Sequence, residues 1–368
     1  MLYILVPVVI LLALVKWKSN RVFFVTLMLM WILLGWSSGN ADYSIHLGRF
    51  NNYEQNSGFT EILYTALMRF ANGLGFTYPQ FLPVMTLWVI LVIGLLAKKS
   101  KAPAFVLALY MMFPICMDAV QVRYTFAGSV VLLGLYYLIN EKSKYGEIVF
   151  ASCIILATLL HISSIVFLLF LPVKRFDIRK TAIYTLSISA VLYLSQARFM
   201  IGILRKLPGM GEKISRVLSM SATRYTWITI LKTDFRVIVF FLQFIIIILY
   251  VRKRLRKRNN NEGKNFIENV IKLNIMSLGI LPLITYSVDF YRIQQTLSLL
   301  NYCSLSYFFL TIGNQSQREK FMISKKVLMF DAICLLMTFV NLYLLVLNSS
   351  NIDTVFRPFL EKNLFFGG

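Results

Sequence analysis

Residues 237–258 read VIVFFLQFIIIILYVRKRLRKR, an apolar run closed by a tract in which six of seven residues are basic. The apolar half shows neither the alternation of a half-buried strand nor the one-sided stripe of a surface helix. It is apolar all round, as a helix is when lipid or other helices surround it. The bases that follow mark the end where the helix leaves the bilayer. Moving so many positive charges across a membrane is costly, so the tract is read as cytoplasmic.

The same pattern recurs through the chain. Apolar blocks lie at 2–15, 22–36, 81–97, 102–117, 124–139, 148–173, 181–197, 237–251, 266–288, 293–312 and 327–347. Apolar residues make up 58% of 368 and charged residues 15%, against roughly 45–50% and about 25% in soluble domains. The expected fold is all-α, a single polytopic membrane domain over 1–368 with about twelve membrane segments. Block 2–15 has no basic segment before it and no small-residue cleavage site, so it reads as a first span and not as a removable signal.

Other basic groups follow the first tract to its side: the loop KWKSNR at 16–21, KKSK at 98–101, Lys142 with Lys144, KRFDIRK at 174–180 and the loop 318–326. With 252–265 they form the expected cytoplasmic face. They agree only if 148–173 enters and returns, because its length suits neither one span nor two. The expectation is a re-entrant pair of half-helices turning near His161, with both termini outside. Non-helical backbone at that depth requires cover from protein or a wet cavity. Two loops then face outward, 37–80 and 198–236. In the first, Ile62, Leu63, Leu67, Phe70 and Leu74 share a helical face. In the second, Ile214, Val217 and Leu218 suggest a short interfacial helix.

The net charge of +22 does not make this a nucleic-acid protein, since no basic run sits on a soluble module. Cys116, Cys153, Cys303 and Cys334 all fall in apolar blocks and form no spaced motif. PGMGEKIS at 208–215 lacks the spacing of a phosphate loop, and no D-x-D or H-E-x-x-H motif occurs. No cofactor or metal is expected, and the energy for any reaction must arrive with the substrate.

The outer bases are unusual in kind. Arg49, Arg69, Arg123, Arg292 and Arg357 stand singly at span ends or in short loops, where a guanidinium offers the paired donors that phosphate accepts. Local pairing is the plainer alternative: Arg123 with Asp118, Arg292 with Asp289, Arg49 with Asp42. Carboxylates on that side include Asp42, Glu54, Glu61, Asp118, Asp234 and Asp289, any of which beside a desolvated cavity suits a general base. His161, inside LLHISSIVFLL, needs a partner at membrane depth and is read as functional; bonding to Ser163 or Ser164 in a merely structural turn is the alternative. The other histidine is His46.

Five segments in order carry a resemblance: Asp42–Tyr43 in NADYSIHLGRF, then GFTEILYTALMRFANGLG at 58–75, QVRYTFA with Arg123 and Ala127, HISSIVFL with His161 and Ser163, and DFYRIQQ with Arg292. Together they resemble the EpsG-like branch of Wzy-type polysaccharide polymerases of exopolysaccharide, capsule or O-antigen synthesis. The C-terminal Arg357–Phe359 departs from the Pro-Tyr pair expected there. The resemblance implies a metal-independent membrane glycosyltransferase on the outer face of the cytoplasmic membrane. Its substrate would be oligosaccharide on undecaprenyl pyrophosphate, and a chain-length regulator and a flippase would be partners. Under that reading Arg123 and Arg292, helped by Arg224 or Arg49, hold the pyrophosphate, and Tyr43, Glu61 and Asp289 complete the binding site. Asp42 or His161 takes the acceptor proton, with Asp42 preferred for its more accessible loop. A flippase for lipid-linked oligosaccharides, a glycan ligase and an acyltransferase are the rival readings.

Overall fold

The computed structural model describes residues 1–52, 61–140, 145–194, 227–257, 263–284, 288–312, 317–348 and 351–367. Among them the chain is helical, and its one extended pairing is an isolated bridge between Ser37 and Asn363. Helix α1 (Leu2–Val15) and α2 (Asn20–Gly35) form a first pair. Two short helices follow, α3 (Tyr43–Asn51) and α4 (Ile62–Gly73), then the long α5 (Tyr78–Lys98). Thr77 and Gln80 start α5 with a reciprocal cap, the Thr77 N–H donating to Gln80 Oε1 at 2.9 Å.

Block 102–117 is not one continuous helix. It gives α6 (Pro103–Met112) and α7 (Ile115–Val120), separated at Phe113 and Pro114. Proline has no N–H for a helical bond and its ring drives the preceding residue to extended backbone, here φ −158° and ψ 131° at Phe113. Helix α8 (Val122–Asn140) then starts with Arg123 in its first turn.

Helix α9 (Tyr145–Leu160) stops at His161, whose backbone is extended at φ −152° and ψ 115°, and a 3₁₀ segment (Ile162–Lys174) follows. Arg175 Nε donates to Glu147 Oε1 at 3.1 Å, so the two open ends meet and His161 is the tip of a hairpin. At 1.5 Å per residue the tip stands about 20 Å from that ion pair. Gly134 lets α9 lie close on α8: a Cβ there would fall 2.7 Å from Cys153 Cβ.

Helix α10 (Ile178–Leu194), α11 (Trp227–Lys257) and α12 (Lys264–Ser277) follow, then α13 (Arg292–Ser306), tightening to 3₁₀ over Tyr307–Thr311, and α14 (Gln317–Leu342). Among the described residues, five helical stretches are long and apolar enough to cross a membrane: Tyr78–Lys98, Val122–Asn140, Phe235–Lys257, Lys264–Leu283 and Lys325–Leu347. Shorter apolar helices accompany them. Their outer faces expose Leu, Ile, Val and Phe side chains that water would not tolerate in such numbers, such as Leu91, Ile155, Ile246, Leu328 and Leu336. The chain is a multi-pass membrane protein.

Helix α13 is the polar axis of the bundle, with every residue from Ile293 to Ser306 buried. Its Asn301 exchanges hydrogen bonds with Asn274 of α12 at 2.6 and 3.1 Å, polar pairing that holds helices together where the hydrophobic effect between them is absent.

The bundle has two distinct ends. At one, the C-terminal segment clasps the chain after α2: Ser38 N donates to Lys362 O and Leu364 N to Trp36 O, both at 2.9 Å, and Tyr3 reaches Glu361 at 2.7 Å. Asn40 ties the same loop to Ala119 of α7. At the other end Lys98 meets Asn20, the Lys101 N–H donates to Ser306 at 3.0 Å, and Arg254 lies over Phe308. Helix α5 runs from the first end to the second, about 30 Å for its 21 residues.

The apolar stripe of α4 is turned outward. Tyr64, Met68 and Ala71 are buried, while Ile62, Phe70 and Leu74 are more than half exposed. Glu61 decides this, because its inward side chain sets the face and Tyr64 and Met68 follow it at helical spacing.

Candidate functional site

Glu61 precedes α4 with a left-handed backbone at φ 63°, the one positive φ outside glycine among the described residues. Such a conformation costs a carboxylate residue on the order of 1–2 kcal/mol and persists where surrounding contacts over-determine it. Those contacts are charged. Glu61 Oε1 accepts from His161 Nδ1 at 2.8 Å, and Glu61 Oε2 accepts from Arg123 Nη1. The three side chains are nearly enclosed, Glu61 9%, His161 15% and Arg123 17% exposed. One carboxylate from the α4 start, one guanidinium from the first turn of α8 and one imidazole from the hairpin tip thus meet at the clasped end of the bundle.

Aromatic rings set the spacing around them. Tyr124 meets His161 edge to face, centroids 5.6 Å apart, and the Arg292 guanidinium lies over the same ring at 5.7 Å. The Tyr124 hydroxyl is fixed against Thr296 at 2.8 Å, one turn along α13 from Arg292. Tyr64 supports Arg123, with the guanidinium carbon 5.9 Å from its ring. Arg123 Nε is buried with no partner among the described residues, a donor an incoming oxygen would satisfy.

A second layer lies behind. Asp118 does not pair with Arg123: it accepts from Tyr110 at 2.7 Å, Gln295 at 2.7 Å and Thr125 at 3.2 Å. Three neutral donors hold the buried carboxylate, with no counterion among the described residues, and lock α7 to α6, α8 and α13. Gln121 joins α7 to Tyr291 at 3.0 Å, which fixes the approach to Arg292.

Helix α3 brings His46 and Arg49 beside the triad. His46 is buried, and that burial first, then the charges of Arg123 and Arg49, push its pKa down to about 3. Burial also lowers the Arg49 pKa, with Arg123 adding to it and Glu61 opposing. His46 Nδ1 has no partner among the described residues. The folded protein therefore refuses a proton that unfolded His46 takes near pH 6.5, so stability is lost as pH falls below that value. The expected loss is about 1.4 kcal/mol by pH 5.5. Thermal unfolding in detergent at pH 7.5 and 5.5 measures it, and a His46→Gln variant with the same pH response would refute the assignment.

The remaining residues singled out in the sequence divide plainly. Asp42 begins α3, half-buried, its carbonyl accepting the His46 N–H at 2.9 Å, and it acts electrostatically on Arg49. Tyr43 packs its ring 5.3 Å from Tyr78. Among the described residues, neither makes a hydrogen bond or ion pair with the triad. Arg69 is exposed, and Arg357 pairs with Asp353 at 2.7 Å in the open, as local pairing predicts. Arg224, Glu54, the interfacial-helix residues Ile214, Val217 and Leu218, and the side chains of Asp234 and Asp289 lie outside the described residues. His161 is partnered by Glu61, with Ser164 closing only the backbone turn through its N–H to His161 O at 3.0 Å. Among the described residues no three His, Cys, Asp or Glu side chains gather as a metal site.

The sequence names His46 without giving it a role, and shows neither the Tyr124 platform nor the Tyr110–Gln295 support of Asp118. The position of Tyr124, next to Arg123 in QVRYTFA, was the one available signal.

No curated protein and no solved structure matches the chain. The model of the EpsG family does match, over residues 20–351, a span that takes in Glu61, Arg123, His161 and Arg292, and the chain belongs to the EpsG family.

Proposed function

We propose that the protein polymerises lipid-linked oligosaccharide repeat units at the extracytoplasmic face of the cytoplasmic membrane. Membership of the EpsG family supports a polysaccharide polymerase-like role. The observation that carries the finer reading is Glu61 bridging His161 and Arg123, with Arg292 over the Tyr124 ring.

In this reading His161 is the general base. Glu61 accepts the Nδ1 proton, which leaves Nε2 to take the proton of the acceptor sugar hydroxyl, and the carboxylate then stabilises the imidazolium. The hydroxyl oxygen forms a bond to the anomeric carbon of the donor glycan. The bond from that carbon to the pyrophosphate oxygen breaks, and undecaprenyl pyrophosphate leaves. The charge that develops on it is met by Arg123 and Arg292, with Arg49 near enough to add to the field. Asp42, at the start of α3, is assigned to acceptor binding with Tyr43, and His161 takes its place as base.

Sidedness follows from charge. The end opposite the triad collects Lys98, Lys99, Lys101, Lys253, Arg254 and Lys257, so the positive-inside rule favours that end as cytoplasmic and the triad as outward. On this reading the His161 hairpin is the re-entrant element, and the apolar helices make about twelve membrane segments.

Purified protein given a single lipid-linked repeat unit, with no nucleotide, is expected to yield a ladder of oligomers on the lipid. A flippase yields none under these conditions, and a ligase yields product only when its separate acceptor is supplied; unchanged substrate from folded protein counts against the proposal.

A further inference from the structure

The end of the bundle opposite the triad holds a cavity of about 470 Å³, lined by Tyr250, Lys253, Arg254, Lys257, Thr311 and Lys326. Its size lies within the roughly 300–1,000 Å³ of small-molecule sites. It is not a by-product of a solvated charge run. Tyr250, Lys253, Arg254 and Lys257 recur at helical spacing and share one face of α11. The other residues of that tract face away from it: Val251 and Leu255 are in the core, Arg252 pairs with Glu268 at 2.8 Å, and Arg256 is exposed. The cavity face therefore gathers four cations from two helices, and none of the described residues that line it is acidic.

Arg254 is held in place there. Its guanidinium lies over Tyr250 at 5.6 Å and over Phe308 at 5.8 Å, stacking that fixes the plane of its donors. Lys253 and Lys257 stand four residues apart, a like-charge pair that opposes helix stability until an anion lies between them. A phosphate group, accepting from lysine and arginine together, is the ligand these donors fit.

The surroundings distinguish a lipid phosphate from a free one. Ile246 and Leu249 lead up to the cavity on α11, Leu328 and Met329 on α14, and all four are exposed. Headgroup-binding basic hollows between membrane helices have this arrangement, charge at the interface and apolar flanks for the acyl chains. We infer that this cavity binds the phosphate headgroup of an anionic membrane lipid, with the acyl chains lying along α11 and α14. The inference rests on the protein being membrane-embedded and is independent of the proposed reaction.

Two double variants remove the same charge from the same end of the bundle: Lys253→Gln with Lys326→Gln inside the cavity, and Lys98→Gln with Lys99→Gln outside it. The unfolding midpoint of the full-length protein in neutral detergent is followed while phosphatidylglycerol, phosphatidylcholine or inorganic phosphate is added. Phosphatidylglycerol is expected to raise the midpoint of the wild type and of the Lys98/Lys99 variant alike. The cavity variant is expected to need about 10-fold more of it for the same rise. Inorganic phosphate and phosphatidylcholine are expected to leave all three unchanged. Equal weakening in both double variants overturns the site in favour of general surface charge. An equal response to inorganic phosphate overturns the lipid. Should the cavity pair fail to fold, the single Lys326→Gln variant on α14 carries the same comparison against Lys99→Gln.

Discussion

An Arg123→Ala variant is expected to make no polymer while single lipid-linked repeat units accumulate in the membrane. Arg123 is the guanidinium bonded directly to Glu61, and its buried Nε faces no protein acceptor among the described residues. In the proposed reaction it meets charge that appears only as the pyrophosphate departs. Losing one such donor costs about 10²–10³ in rate, roughly 3–4 kcal/mol. The truncation also strips Glu61 of its counter-charge in a nearly enclosed site, which destabilises by a few kcal/mol. Arg123→Lys separates the two effects. Lysine keeps the positive charge beside Glu61 and so most of the stability, but it lacks the planar fork and cannot hold Glu61 and a phosphate oxygen together. It is expected to reach normal abundance and still fall at least 10-fold short in polymer. Polymer of normal length and amount from a well-expressed Arg123→Ala protein would remove this residue from the reaction.

How much of this was legible beforehand depended on the range over which each feature acts. Helices were, because a bilayer-length apolar block is a local signal: the block 2–15 coincides with Leu2–Val15, and 237–251 lies within Trp227–Lys257. The break at His161 was legible too, since a block of 26 residues, 148–173, fits neither one span nor two. Partners were not. Glu61 lies 62 residues before Arg123 and 100 before His161, whereas the acid that sequence offers Arg123 is Asp118, five residues away. The bundle overrides that proximity by wrapping Asp118 in Tyr110, Thr125 and Gln295, the last 177 residues distant. The inward face of α4 escaped for the same reason. Periodicity marks Ile62, Phe70 and Leu74 as a stripe, but in a membrane protein an apolar stripe is as well placed against lipid as against the core, and a carboxylate decided which side turned in.

Glu61→Gln is expected to reduce turnover by about 10³–10⁴, the scale on which a base loses its orienting carboxylate. The substitution preserves shape, which makes it informative. A carboxylate offers two acceptor oxygens, one to His161 Nδ1 and one to Arg123. The amide offers one oxygen and one NH₂. If the oxygen stays with Arg123, the NH₂ donates to His161 Nδ1, the ring proton moves to Nε2 and the imidazole is held in the tautomer that cannot act as base; if it stays with His161, the NH₂ faces the guanidinium donor against donor and Arg123 is left uncompensated. Glu61→Asp keeps the charge but, one methylene shorter, reaches one partner well, so partial recovery is expected. Glu61→Gly frees the φ of 63° from its strain yet removes the bridge, and it should be as inactive as the glutamine variant. His161→Gln supplies the needed contrast. It leaves the Glu61–Arg123 pair intact, so the unfolding midpoint should stay close to wild type while turnover falls as far as in Glu61→Gln and the KM for the lipid-linked unit barely changes. A His161→Gln protein that polymerises normally removes the imidazole as base and leaves Glu61 a structural tie between α4 and α8.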